Sequence, residues 1–270
     1  MDEKPHNPYA PAASDAPPLT EYSAQEQALP RKLWSWGDVL LISLVGIVVS
    51  IIGTACLGII LSLADFNNVD AIVASMPYLI GSLAVEFFAI VGSVYFLGIQ
   101  RKHLSWYAIG FRPMTKLWIL GSLGIGVLAY LVTLLLNYIT GSLLHIPQNA
   151  LLDTIGTNDV TWMAIIVVTV LSGIAIPFAS ESLFRGVIYN FLRERWGIWI
   201  GAIICSLIEA ITSFDISIGI VTFFVALLAI FAYERSKSLW AAVLVQGVVS
   251  VLGLIASFLL TSPGAKIPLF

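Results

Sequence analysis

Charge is scarce in this chain. Only 11% of its 270 residues are Asp, Glu, Lys or Arg, against about a quarter in soluble globular domains. In contrast, 59% are apolar and the mean hydropathy is +0.94, which excludes an ordinary water-soluble domain. Basic residues are not in excess either. Thirteen Lys and Arg face sixteen Asp and Glu for a net charge of −3, so there is no basic face and nucleic acid is not an expected partner. The two cysteines, Cys56 and Cys205, both lie in apolar runs, which argues against a disulfide scaffold and a Cys-based zinc site. The histidines are His6, His103 and His145, none of them inside a predicted membrane helix, whereas an intramembrane zinc site normally needs at least one imidazole. Strand-period alternation, internal repeats and heptad seams are missing, so neither a barrel nor a coiled coil is expected. A GxSxG elbow is absent, and Ser180, Ser182 and Ser213 have no His or Lys close in sequence to serve as a base.

What the chain does have is apolar runs of spanning length, since about 20 helical residues cross a bilayer core. Helices are expected near 38–64, 78–99, 117–144, 161–178, 198–213, 217–233 and 238–262. The amphipathic stretch 179–196 extends the fourth beyond Pro177. The expected fold is therefore an all-α polytopic transmembrane bundle of seven to eight spans covering 38–262. Residues 1–37 hold half of the twelve prolines and mostly polar long side chains, and read as a disordered cytoplasmic tail. Residues 263–270 read as a short outside tail. The connections at 65–77, 145–160 and 214–216 carry no Lys or Arg, and of the thirteen basic residues only Lys266 falls on their side. The positive-inside rule then puts the N-terminus in the cytoplasm and the C-terminus outside, with the cell membrane as the expected location.

Ionisable residues inside spans are costly and are functional candidates by default. Glu86, Glu181 and Glu209 are the acids in question. Arg185 follows Glu181 by four residues, on the same helix face, so a Glu–Arg pair is available. Glu86 has no basic partner in its own helix and must be protonated, paired across helices, or turned to a polar cavity.

Three stretches together resemble one family. SESLFRGVIYNFLRERWG (180–197) resembles the EExxxR signature of the CPBP membrane proteins, the CAAX-protease and bacteriocin-processing group of intramembrane metalloproteases. CSLIEAITSF (205–214) is similar to the segment carrying their FxxxH motif, and YERSKSLWAAVLVQGVVSVLG (233–253) to the helix carrying HxxxN. YAIGFRP (107–113) resembles a common family linker, so the similarity runs over roughly 100–255. The resemblance implies a CAAX-protease-like bundle with a polar cavity open to the cytoplasm. It also implies that active members use the first Glu of EExxxR to activate a water on a divalent metal, usually taken as zinc, held by the two His positions and the Asn.

Position by position, the chain departs from that plan. Ser180 stands at the first Glu, while Glu181 and Arg185 remain; Glu209 and Ser213 stand at the Phe and His of FxxxH; Gln246 and Ser250 stand at the His and Asn of HxxxN. Ser and Gln are poor zinc ligands and neither is a general base near neutral pH. No intact catalytic set, no cofactor and no zinc are therefore expected. A carboxylate pair, Glu181 with Glu209, offers one rescue as an oxygen-rich site for a hard cation. The expected function is a catalytically inactive CAAX-protease-like homologue acting as a scaffold or regulator, with membrane lipids and membrane or lipidated proteins as partners. Two alternatives stay open: an active intramembrane metalloendopeptidase with a remodelled site, and a small transporter using Glu86, Glu209 and Arg185.

Overall fold

The computed structural model describes residues 33–63, 75–143 and 162–261. All of them belong to one unit, and no strand occurs among them. The helices are α1 (Trp36–Ser62), α2 (Met76–Gly92), α3 (Trp106–Ile109), α4 (Lys116–Tyr138), α5 (Trp162–Val170), α6 (Ile176–Leu183), α7 (Asn190–Ile211), α8 (Ile216–Ser236) and α9 (Leu239–Thr261). Wider π-helical turns continue α2 (Ser93–Gln100) and α4 (Ile139–Leu143), join α5 to α6 (Leu171–Ala175), and join α6 to α7 (Phe184–Tyr189). The turn at Leu171–Ala175 has a local cause. Pro177 brings no N–H and a ring that crowds the carbonyl one turn back, and a π turn makes room for it.

Six helices are long and apolar enough to cross a membrane: Trp36–Ser62, Met76–Gln100, Lys116–Ser142, Met163–Ile211, Ile216–Ser236 and Leu239–Ser257. The chain is an integral membrane protein of all-helical architecture. Its boundaries lie within about three residues of those read from hydropathy, with one correction. The expected fourth and fifth spans are limbs of a single 49-residue stretch, Met163–Ile211, which breaks at Gly197. Gly197 takes φ 79° and ψ 177°, open to glycine and strained for other residues. Across that break the chain doubles back. The backbone of Gly201 comes so near that of Arg193 that a Cβ at 201 would lie 3.0 Å from the Arg193 nitrogen. Cys205 Sγ donates to the Phe184 carbonyl at 3.3 Å. The second limb, 198–211, is roughly 21 Å long and does not reach across a hydrocarbon core of about 30 Å.

That hairpin also corrects the depths implied by separate spans, which would put Ser180 near one face and Ser213 near the other. Because the limbs are antiparallel about residue 197, Ser180 and Ser213 lie at similar depth, in the interior of the bundle. Arg185 is corrected with them. It is fully buried and is not one of the charges at a membrane face.

Packing around the hairpin closes the bundle. α9 lies against α4, α8 and the α5–α6 segment; α8 lies against α4 and α7; α2 lies between α1 and α6. Where the turn Leu171–Ala175 crosses α9 the glycines meet backbone to backbone: a Cβ on Gly247 would lie 2.3 Å from the Gly173 carbonyl oxygen. α1 is mostly lipid-facing, with only 6% of its apolar window buried.

One end of the bundle gathers the basic residues. Arg101 and Lys102 pair with the buried Asp38, which also caps α1 through a reciprocal box with Ser35. Trp34 is buried and donates from Nε1 to the Gly186 carbonyl at 2.8 Å, while Arg195 donates to the Trp34 carbonyl at 3.1 Å. The fold therefore begins by residue 34, inside the segment 1–37 read as a tail. Residues 1–32 and 262–270, with His6 and Lys266, lie outside the described residues, as does His145. At the same end Arg193 and Lys237 both pair with Glu234, each at 2.9 Å, and the α3 loop joins α9 through Leu239 N to Gly110 O at 2.8 Å.

Candidate functional site

Arg185 organises the interior. It sits in the π turn Phe184–Tyr189, one turn after Glu181, so its Nε comes within 3.1 Å of Glu181 Oε2, as the i, i+4 spacing predicts. The second partner was not legible from spacing. Nη1 donates to Glu209 Oε2 at 2.6 Å, from the other limb of the hairpin. Nη2 donates to the Ala226 carbonyl at 3.0 Å, on α8. One guanidinium thus ties α6, α7 and α8 together. Arg185 and Glu181 are 0% exposed and Glu209 5%; the cost of burying them is offset by mutual attraction and, at Glu209, by oriented donors, whereas Glu181 has the ion pair alone. The triad's formal charge is −1.

The remaining oxygen of Glu209 is also taken. Gln246 Nε2, on α9, donates to Glu209 Oε1 at 2.9 Å, and Ser180 Oγ donates to Gln246 Oε1 at 2.9 Å. The positions Ser180, Gln246, Glu209, Arg185 and Glu181 therefore form one continuous polar chain across four helical segments. Ser213 and Ser250 are close by but outside it. Ser213 Oγ lies 3.4 Å from Thr222 Oγ1, and Ser250 lines the same space without a hydrogen bond among the described residues. Ser182 is turned away: its hydroxyl donates to the Phe178 carbonyl at 2.6 Å and is buried, which leaves it no nucleophilic role.

These residues border an interior cavity of about 570 Å³, lined by Ser180, Glu209, Ser213, Gln246 and Ser250 together with Glu86 and Thr212. Apolar side chains of α8 and α9, Val221, Val225 and Val249 among them, complete the wall. Of the three alternatives left open for Glu86, the structure excludes pairing across helices among the described residues and turns the side chain to this cavity. Thr212 and Thr222 were not singled out from the sequence; the signal for Thr222 is a lone hydroxyl in the run IVTFFVALL.

The chemistry of the donor set can be tested against zinc, which the motif resemblance implies for active relatives. The residues do not fit it. A zinc site needs imidazole, thiolate or uncommitted carboxylate donors in a tetrahedron. Here Glu209 has both oxygens engaged, one by a full positive charge at 2.6 Å, Glu181 faces the same guanidinium, and the remaining motif positions on the cavity offer hydroxyls and an amide. The hard-cation rescue fails for a related reason: the space between Glu181 and Glu209 is occupied by the Arg185 guanidinium. Among the described residues no three His, Cys, Asp or Glu side chains gather as a ligand set, and His103 lies in the loop after α2 at the basic end.

Residues 161–252, 92 of the 270, match the family model described as Rce1-like, type II CAAX prenyl endopeptidase Rce1-like. That segment runs from the start of α5 to the middle of α9 and contains all seven motif positions. No curated protein and no solved structure matches the chain.

Proposed function

We propose, from the premise that this is a CAAX-protease-like integral membrane protein, that its site has been converted from hydrolysis to structure and binding. In this reading the chain does not cut peptides and holds no catalytic zinc. It acts as a membrane scaffold or regulator that engages membrane or lipidated protein partners. The observation that carries the reading is the polar chain from Ser180 through Gln246 and Glu209 to Arg185. A proteolytic centre of this family would need a carboxylate free to take a proton from water and a metal to acidify that water. In this chain Ser180 stands where the base would be, Glu209 is held by a guanidinium and an amide, and Glu86, the cavity carboxylate without a partner among the described residues, has no metal-ligand set beside it. The same reading puts the basic end of the bundle in the cytoplasm of the cell.

Metal analysis and peptidase assay of the purified chain test it. The native protein is expected to carry no stoichiometric zinc and to leave prenylated CAAX peptides intact. Base and ligands act as a unit, so single restorations are expected to stay inert. The joint variant Ser180→Glu, Ser213→His, Gln246→His and Ser250→Asn, with Glu209→Phe to clear the cavity, is expected to gain zinc. Stoichiometric zinc in the native chain, lost on Glu209→Ala, would overturn the reading in favour of a remodelled enzyme. Orientation is checked by thiol labelling in a Cys56→Ser background. Ser236→Cys should react from the cytoplasm and Leu63→Cys from outside, and the reverse pattern would refute the assignment.

A further inference from the structure

Glu86 is the ionisable group that the polar chain leaves out. It lies mid-way along the α2 span, makes no hydrogen bond or ion pair to any described residue, and borders the 570 Å³ cavity. It also borders a second, smaller cavity of about 150 Å³ reached past Thr212, between α1 and the hairpin. An intramembrane carboxylate without a protein partner beside a polar cavity is a binding-site candidate on physical grounds.

The cavity wall has a definite hydrogen-bonding character. Two of its hydroxyl donors are spent inside the protein: Ser180 donates to Gln246 Oε1, and Thr212 donates to the Glu209 carbonyl at 2.7 Å. Ser213 and Thr222 share one hydrogen bond, in which one hydroxyl donates to the other. One N–H of the Gln246 amide is spent on Glu209. The hydroxyl oxygens of Thr212, Ser213 and Thr222 keep lone pairs able to accept from a ligand, and Ser250 is free to turn either way. No Lys, Arg or His lines the cavity among the described residues. The wall thus offers one carboxylate without a partner among the described residues, several hydroxyl oxygens and no cationic side chain. Its volume far exceeds that of one bare metal ion.

We propose that this cavity binds an ammonium group, with Glu86 as counter-ion and the oxygens of Thr212, Ser213 and Thr222 as acceptors for its N–H donors. The group comes from a small primary amine or from the lysine side chain of a membrane-spanning partner helix. The proposal rests on the reading of the cavity as non-hydrolytic. The two are tested apart, because zinc content and peptidase activity report on that reading and amine binding reports on this one.

The test uses the full chain in lipid nanodiscs, titrated calorimetrically with n-propylammonium, tetramethylammonium and sodium. A parallel arm uses a leucine-rich membrane-spanning peptide with a single central lysine and its Lys→Leu counterpart, with binding read by energy transfer. Binding of n-propylammonium or of the lysine peptide is expected, whichever source applies. It should weaken at least about tenfold in Glu86→Gln, since hydrogen bonds to a charged group are lost. Thr222→Val should weaken it less, and tetramethylammonium, which has no N–H, should bind poorly. Glu86→Gln keeps the side chain's shape, and an unchanged melting temperature will show that the variant is folded. The proposal is overturned if neither the amine nor the lysine peptide binds. It is equally overturned if binding survives Glu86→Gln, if sodium outcompetes n-propylammonium, or if the Lys→Leu peptide binds as well as its parent.

Discussion

Two carboxylates border one intramembrane cavity, and their surroundings are opposites. Glu209, on the short limb of the hairpin, has both oxygens engaged and is 5% exposed. Glu86, on α2, has no protein partner among the described residues and looks into open space. A membrane protein can keep an acid away from lipid by saturating it with donors or by giving it a polar cavity, and this molecule does both within one site. The first device holds helices together; the second leaves a group available to a ligand.

The comparison predicts a graded series of stability effects. The largest belongs to Arg185→Ala, which leaves two buried carboxylates facing each other without a cation. A loss of about 3–5 kcal/mol is expected, seen as a large fall in detergent melting temperature or in membrane abundance. Adding Glu209→Ala and Glu181→Ala to it should cost far less than the sum of the separate changes, because each removes a charge the others were compensating. Strict additivity would mean that the three side chains do not act as one triad.

Gln246→Ala comes next. It strips one oxygen of Glu209 of its donor but leaves the Arg185 contact, so about 1–3 kcal/mol is expected from the same melting experiment. Ser180 loses its partner too, yet its hydroxyl retains the Pro177 carbonyl at 3.4 Å, which softens the effect. Should Gln246→Ala prove as damaging as Arg185→Ala, the amide and not the guanidinium would be the main support of Glu209.

Glu86→Gln should do least, with a change within about 0.5 kcal/mol, because no protein contact is lost. A large destabilisation would reveal a partner for Glu86 and erase the contrast between the two acids. The order Arg185, Gln246, Glu86 is itself the sharpest check, since helix propensity alone would not produce it.

The spans were legible because lipid imposes a one-dimensional rule: about 20 apolar residues, polar loops and basic residues on one side. That rule located helix ends within a few residues from Trp36 to Thr261. It failed at the hairpin, where 198–213 reads as a span although a glycine at φ 79° folds a shorter limb back on its predecessor. Hydropathy counts apolar residues and is blind to a single backbone angle. The Glu181–Arg185 contact was equally legible, since i, i+4 spacing on one helix is local geometry.

Everything that decides the character of the site required the tertiary structure. The sequence by itself determined an all-helical membrane protein and a resemblance to one family over three ordered stretches, with Ser, Glu and Gln standing at several of the resembled motif positions. Only folding decided that Glu209 would meet Arg185, that Gln246 would bridge Glu209 to Ser180, and that Glu86 would find no hydrogen-bond or ion-pair partner among the described residues. These contacts join residues 24 to 66 positions apart, on different helices. Their partners are selected by where the limbs return after Gly197 and how α8 and α9 close over them, and hydrogen bonds of a few ångströms cannot be read from periodicities that fix only which face of each helix is apolar.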